Sequence, residues 1–216
     1  MIRKICIFGD SIAVGDNDDV FGGWQNRLKI HFAKNGGMDS NRFCHVYNLA
    51  VSGRRSDDII ARFKNELLSR TTSKPTKGML ALIALPINDS RYVMTEKGDK
   101  KFNITIEQFK ENLVKLKELS LKHADETVFV GMTRVDDAKT TPWIVSEHNH
   151  CWENEIIKKY NNIAEEFCKK EDVLFLNMFD VLTFEDLPDG LHPNPEGHKK
   201  MFEKIKDFLV ENKLIR

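Results

Sequence analysis

The stretch KICIFGDSIAVG, residues 4–15, decides how the rest of the chain is read. Ile5, Cys6, Ile7 and Phe8 are four consecutive strand-forming residues with no polar interruption. An unbroken apolar run of that length suits a strand covered on both faces, as in a parallel sheet. Gly9, Asp10 and Ser11 then end it abruptly. All three are ordinary turn residues, yet a serine at the mouth of a buried strand is also where a nucleophile would stand. A three-residue match does not choose between the two, so the choice rests on the other strand ends.

Similar runs recur: HVYNLAV (45–51), MLALIAL (79–85), TVFVGM (127–132) and VLFLN (173–177). Between them lie helical patterns, with Ile106, Phe109, Leu113 and Leu116 at spacings of three and four. Ile156, Tyr160, Ile163 and Phe167 repeat the pattern, as do Met201, Ile205 and Phe208. Thr105 followed by Gln108 predicts a capped helix start. Strands alternating with helices imply crossovers, a mostly parallel sheet and a three-layer α/β domain. No repeat, low-complexity tract or linker divides residues 1–216, so one domain is expected.

Composition narrows the function classes. Of 216 residues, 41% are hydrophobic and 31% charged, a mixture able to build a core. Lysine plus arginine and aspartate plus glutamate number 33 each, so no global field favours nucleic acid or an anionic membrane. The clusters DNDD (16–19) and KGDKK (97–101) are expected to be solvated loops. Cys6, Cys44, Cys151 and Cys168 lie far apart without CxxC spacing, which fits reduced thiols. ICIF is too short for a leader's apolar core and no run approaches a membrane span, so a cytoplasmic protein without membrane-spanning segments is expected.

In a parallel α/β sheet the functional crevice lies beyond the carboxyl ends of the strands. That places Ser11 after the first strand, and Ser52, Gly53, Arg54 and Arg55 after the second. PINDS follows the third strand with Asn88 and Asp89, and DGLHPNPEGH follows the fifth with Asp189 three residues before His192. These residue types are what acyl transfer requires. A serine hydroxyl needs an adjacent base, for which histidine is suited. The imidazole needs a carboxylate to fix its tautomer. A tetrahedral intermediate needs preorganised donors, which a glycine N–H and an asparagine amide supply.

With these blocks in order, the chain resembles the SGNH hydrolase superfamily, the GDSL family of esterases and lipases. The resemblance rests on Gly9-Asp10-Ser11, Gly53, the Asn88-Asp89 pair and the Asp189/His192 pair, spread over residues 9–192. It implies Ser11 as nucleophile, His192 and Asp189 as triad base and acid, and the Ser11 N–H, Gly53 and Asn88 as oxyanion donors. It also implies a flavodoxin-like five-stranded parallel sheet of order 2-1-3-4-5 and no cofactor. The family's third block begins with glycine, whereas Pro86 stands here, so the turn presenting Asn88 is expected to differ in shape. GDSI in place of GDSL is a neutral aliphatic exchange.

The remaining candidates are substrate contacts. Residues 133–152 form a longer connection than a crossover needs, and Trp143, His148, His150 and Trp152 are expected to line a pocket. Arg54 is a further candidate for an anionic substrate group, against the plainer reading of a helix-start residue. His148, His150 and Cys151 crowd one loop without the separated pairs of a metal site, so no metal is expected. Asp10 is expected to brace the turn holding Ser11 rather than to react. His31, His45, His123 and His198 are expected to be structural or exposed. The expected activity is hydrolysis of small soluble carboxylic esters through an acyl-enzyme. Carbohydrate O-acetylesters, thioesters and lysophospholipids fit the same machinery. A non-catalytic α/β ligand-binding domain is the alternative from another class. The α/β-hydrolase fold would need a G-x-S-x-G pentapeptide, which does not occur. Oligomeric state is not legible.

Overall fold

The computed structural model describes residues 2–35, 44–71, 78–145 and 147–215. Its strands are β1 (Lys4–Phe8), β2 (His45–Asn48), β3 (Met79–Ala84), β4 (Tyr92–Met94), β5 (Lys100–Phe102), β6 (Glu126–Val130), β7 (His150–Cys151) and β8 (Leu174–Leu176). The helices are α1 (Ser11–Val14), α2 (Trp24–Asn35), α3 (Ser56–Leu68), α4 (Ile106–His123), α5 (Asp137–Thr140), α6 (Asn154–Lys170) and α7 (Pro195–Glu211). Short 3-10 turns cover Ile87–Ser90 and Phe184–Asp186.

Five strands pair in parallel in the order β2-β1-β3-β6-β8. In the order of these five along the chain this is 2-1-3-4-5, as the family resemblance implies. Strand β1 is interior, with Ile5 in register with Val46 on one side and Leu80 on the other. Ile5 to Phe8 and Leu80 to Ile83 have no solvent exposure. Each such side chain contributes roughly 1.5–3 kcal/mol by leaving water, which is why these strands are apolar without alternation.

Helices α2 and α7 pack together, while α3, α4 and α6 form a second packed row. The buried stripe of α2 is Trp24, Leu28 and Phe32, and that of α3 is Ile59, Phe63 and Leu67, both at a spacing of four. Phe63 stacks on Phe8 of β1 at 4.6 Å between ring centroids. Thr105 does cap α4, its hydroxyl accepting from the Gln108 N–H. No helix among the described residues is long and apolar enough to cross a membrane.

Four sequence expectations need correction. Residues 133–152 are more than a long connection: they contain α5 and β7, and β4 pairs antiparallel with both β5 and β7 in a small second sheet. Strands of two or three residues are too short to show a hydrophobic period, and lysines on the exposed β5 mask it further. For the same reason KGDKK is partly strand. The DNDD cluster is not fully solvated either. Asp18 is 5% exposed and accepts from the N–H groups of Val20, Phe21 and Gly23, and from the Arg27 guanidinium. Lastly, the deepest face of α6 is Ile157, Tyr160, Asn161, Ala164 and Cys168, with Ile156, Ile163 and Phe167 at its margins. Asn161 belongs inside because its amide exchanges two hydrogen bonds with the Met132 backbone at the end of β6.

Candidate active site

The strand ends converge on Ser11. Asp10 caps α1, its Oδ1 accepting from the Ile12 N–H at 3.1 Å, and this sets Ser11 as the first residue of the helix. The other oxygen, Oδ2, accepts from the Ile87 N–H at 2.8 Å, so one carboxyl joins the turn after β1 to the turn after β3. Burial pushes this acid up to about 6, against the pull of those two N–H donors. Asp10 thus braces the turn, as expected from the sequence.

His192 lies in the segment after the 3-10 turn Phe184–Asp186. Its Nε2 is 2.9 Å from Ser11 Oγ and its Nδ1 is 2.7 Å from Asp189 Oδ2. The second Asp189 oxygen accepts from the N–H groups of Leu191 at 2.9 Å and His192 at 2.7 Å. Burial alone would raise the Asp189 carboxyl, but the bonds from the His192 ring and these two amides outweigh it and hold the acid below its usual range. An ionised carboxylate is acceptor only, so the Nδ1 facing it carries the proton and the Nε2 lone pair faces the Ser11 hydroxyl. Downstream, Asn194 caps α7 by accepting from the Gly197 N–H, and Pro195 occupies the first helical position.

The third element is Asn88. Pro86 sits at φ −66° and ψ 126°, values its ring adopts without strain, and it opens the 3-10 turn directly. The substitution for glycine is therefore compatible with the turn. The Asn88 amide donates to the Arg54 carbonyl at 3.1 Å and lies 3.5 Å from Asp10 Oδ2. It thus stands between the residue preceding Ser11 and the residue following Gly53. Gly53 has φ +76°, a conformation that only glycine adopts readily, and a Cβ built there would meet nothing within 4 Å. Its N–H bonds to no group among the described residues. The loop is held against the serine turn by the Val51 N–H on the Gly9 carbonyl and the Ser52 hydroxyl on Asp16.

Among the candidate substrate contacts, Trp143 meets the Ser11–His192–Asp189 chain. Its ring centroid is 5.5 Å from that of His192, and its Nε1–H donates to the Asp189 carbonyl at 3.0 Å. Trp152 is only 2% exposed and donates to the Ile87 carbonyl at 3.2 Å, so it backs the site instead of lining a pocket. Arg54 directs an exposed guanidinium to Asp58 at 3.6 Å, and its carbonyl, not its charge, serves the site. His148 is exposed and neighbours the His150 ring at 5.5 Å. Ser146, within the same segment, lies outside the described residues.

Two supporting groups escaped the sequence reading. Asp89 has no exposure; its Oδ1 accepts from the Ser56 N–H at the start of α3, and burial pushes its carboxyl up to about 7. Its place beside Asn88 was the available signal. The buried Asp18–Arg27 pair is the other, and the Arg27 Nη2 donates to the Pro195 carbonyl, three residues past His192. His198 is structural as expected: it is fully buried, accepts from the Trp24 N–H and bonds through Nε2 to the Asp16 carbonyl.

This arrangement has an acceptor for the serine proton and a carboxylate orienting that acceptor, with the Gly53 N–H unbonded among the described residues. Solved structures of similar fold include a lipase/acylhydrolase from Enterococcus faecalis, 20% identical with a TM-score of 0.68, covering 98% of this chain and 97% of that one. A lipolytic protein of the G-D-S-L family from Veillonella parvula is 16% identical at TM-score 0.68, with 96% and 98% covered. The acetylxylan esterase Axe2 from Geobacillus stearothermophilus is 15% identical at TM-score 0.68, with 99% and 96% covered. No curated protein matches the chain. The family model described as GDSL-like Lipase/Acylhydrolase matches residues 5–205. A match over nearly the whole length makes this chain a member of the GDSL-like lipase/acylhydrolase family, a serine hydrolase acting on esters.

Proposed function

We propose that residues 1–216 act as one esterase domain that hydrolyses carboxylic esters of small soluble substrates through an acyl-enzyme on Ser11. The observation that carries this reading is the continuous chain from Ser11 Oγ through the His192 ring to Asp189, with links of 2.9 and 2.7 Å. As the Ser11 oxygen attacks the ester carbonyl, its proton passes to His192 Nε2. Asp189 holds the resulting imidazolium in place. Negative charge gathering on the carbonyl oxygen is met by the N–H groups of Ser11 and Gly53 and by the Asn88 amide. His192 then gives its proton to the departing alcohol. In the second half, a water loses its proton to His192 and attacks the acyl carbon, and the Ser11 oxygen is reprotonated as the acid leaves.

A second reading within this chemistry, an esterase for O-acetylated carbohydrates, is supported by Trp143. Its half-buried indole adjoins His192, the residue that would protonate the departing alcohol, and aromatic faces suit the apolar face of a sugar ring. The likeness in fold to an acetylxylan esterase points the same way.

The test is turnover of p-nitrophenyl acetate and of acetylated xylo-oligosaccharides by the wild type and Ser11→Ala. Wild-type hydrolysis and a loss of at least about 10³-fold in the variant are expected. Equal turnover in both would overturn the mechanism. Failure of the wild type to label with a fluorophosphonate would favour a binding domain without catalysis.

A further inference from the structure

The segment from α5 to β7 is bound to the acid–base segment at three points. The Asp136 N–H donates to the Gly190 carbonyl at 2.8 Å, the Lys139 ammonium to the Leu187 carbonyl at 3.4 Å, and the Trp143 indole to the Asp189 carbonyl at 3.0 Å. Of these, only Trp143 also meets the imidazole, its ring inclined at 61° to that of His192. Behind it stands Trp152, edge-on at 5.7 Å and 89°. Trp152 is itself fixed, since its N–H donates to the carbonyl of Ile87, whose own N–H donates to Asp10.

Two indoles therefore run from the His192 ring to the turn that presents Asn88. The His192 base and the Asn88 amide sit 104 residues apart in sequence, and their relative placement must hold to a fraction of an ångström for efficient transfer. Asp189 fixes the Nδ1 edge of the imidazole and Ser11 meets its Nε2 edge, and a further restraint on the ring must come from a neighbour packed against it. An aromatic neighbour packed at an angle supplies it. Trp143 also bonds the carbonyl of the very residue that orients the imidazole.

We propose that Trp143 is a positioning residue for His192, locking the acid–base segment by its indole N–H and the imidazole by its ring, with Trp152 as the backstop referenced to the Asn88 turn. This rests on the serine-esterase reading above and goes beyond it. It gives Trp143 a part in the geometry of proton transfer in addition to its contact with a sugar substrate.

The experiment compares Trp143→Phe, which keeps a ring but no donor, with Trp143→Leu, which keeps neither. Each is assayed for kcat and KM on p-nitrophenyl acetate, and its His192 Nδ1 proton is followed by low-field NMR. Trp143→Phe should lower kcat about 10-fold and Trp143→Leu about 100-fold, the scale of a misplaced catalytic group. KM should stay within about twofold, and the Nδ1 proton should exchange faster with water in both variants. A loss confined to KM, or a Trp143→Leu protein with unchanged kcat or unchanged proton exchange, would overturn the proposal. Should Trp143→Leu fail to fold, Trp143→Phe decides alone on the same three readouts. Fluorophosphonate labelling of the wild type at Ser11 is the control: its failure would strike the esterase reading itself, not the role of Trp143.

Discussion

Replacing Asp189 with asparagine is the sharpest probe of the site, because the structure dictates which way the new amide must face. Asp189 Oδ1 accepts two backbone N–H groups, from Leu191 at 2.9 Å and His192 at 2.7 Å. An asparagine must keep its carbonyl oxygen there. Turning the NH₂ toward those two donors would forfeit both bonds and set donor against donor, at about 1–3 kcal/mol for each group left unpaired. The NH₂ therefore takes the place of Oδ2, 2.7 Å from His192 Nδ1. Two donors cannot share that contact, so the imidazole adopts the other tautomer, with its proton on Nε2. Facing Ser11 Oγ at 2.9 Å, Nε2 is then a donor and cannot accept the serine proton. A wrong tautomer in such a triad lowers turnover about 10⁴-fold, equivalent to about 5 kcal/mol of barrier. Steady-state hydrolysis of p-nitrophenyl acetate reads the loss, the rate of fluorophosphonate labelling should fall in parallel, and thermal melting confirms that the fold persists. A folded Asp189→Asn variant retaining more than a tenth of wild-type kcat would refute the reasoning.

Two further outcomes follow from the same geometry. Gly53→Ala and Gly190→Ala both place an L residue at positive φ, +76° and +87°, but the first Cβ meets open space and the second would fall 2.6 Å from Lys139 Cβ. Gly53→Ala should therefore cost about 1–2 kcal/mol of backbone strain and lower kcat by misaiming its N–H, whereas Gly190→Ala should lose more stability in urea unfolding; the reverse order would contradict the open face at Gly53. For Asp89, a folded-state value of about 7 against 3.8 in the unfolded chain means that the native protein holds the extra proton. Its contribution is present below pH 3.8 and is lost as pH rises through 7. Burial lowers His198 and acts oppositely, so the readout is the difference between proteins: Asp89→Asn should gain in melting temperature relative to wild type between pH 5 and pH 8, and a constant difference across that range would refute it.

How far the sequence could be read depends on where each signal is stored. The central strands were legible because burial on both faces requires continuous apolar runs, and nothing else in the chain supplies them. The meeting of Ser11, Asp189 and His192 was legible because a parallel sheet gathers its strand ends on one side, while the roles proposed for them and for Gly53 and Asn88 come from the family resemblance. The small sheet of β4, β5 and β7 was not, since its pairing is carried by backbone hydrogen bonds in strands of two or three residues, including Tyr92 with Phe102 and Cys151. Asp18 looked solvated for a related reason. Four polar residues in a row resemble any surface loop until the fold supplies Arg27 and three backbone donors for one of them. Trp143 and Trp152 divide on the same ground. Both are aromatic residues on one segment, and their difference, one indole beside the imidazole and the other buried behind it, lies in which distant carbonyl each N–H reaches, Asp189 or Ile87. Chemistry that a residue carries by its type can be read before folding; chemistry that it borrows from a partner across the sheet appears only when the partner is in place.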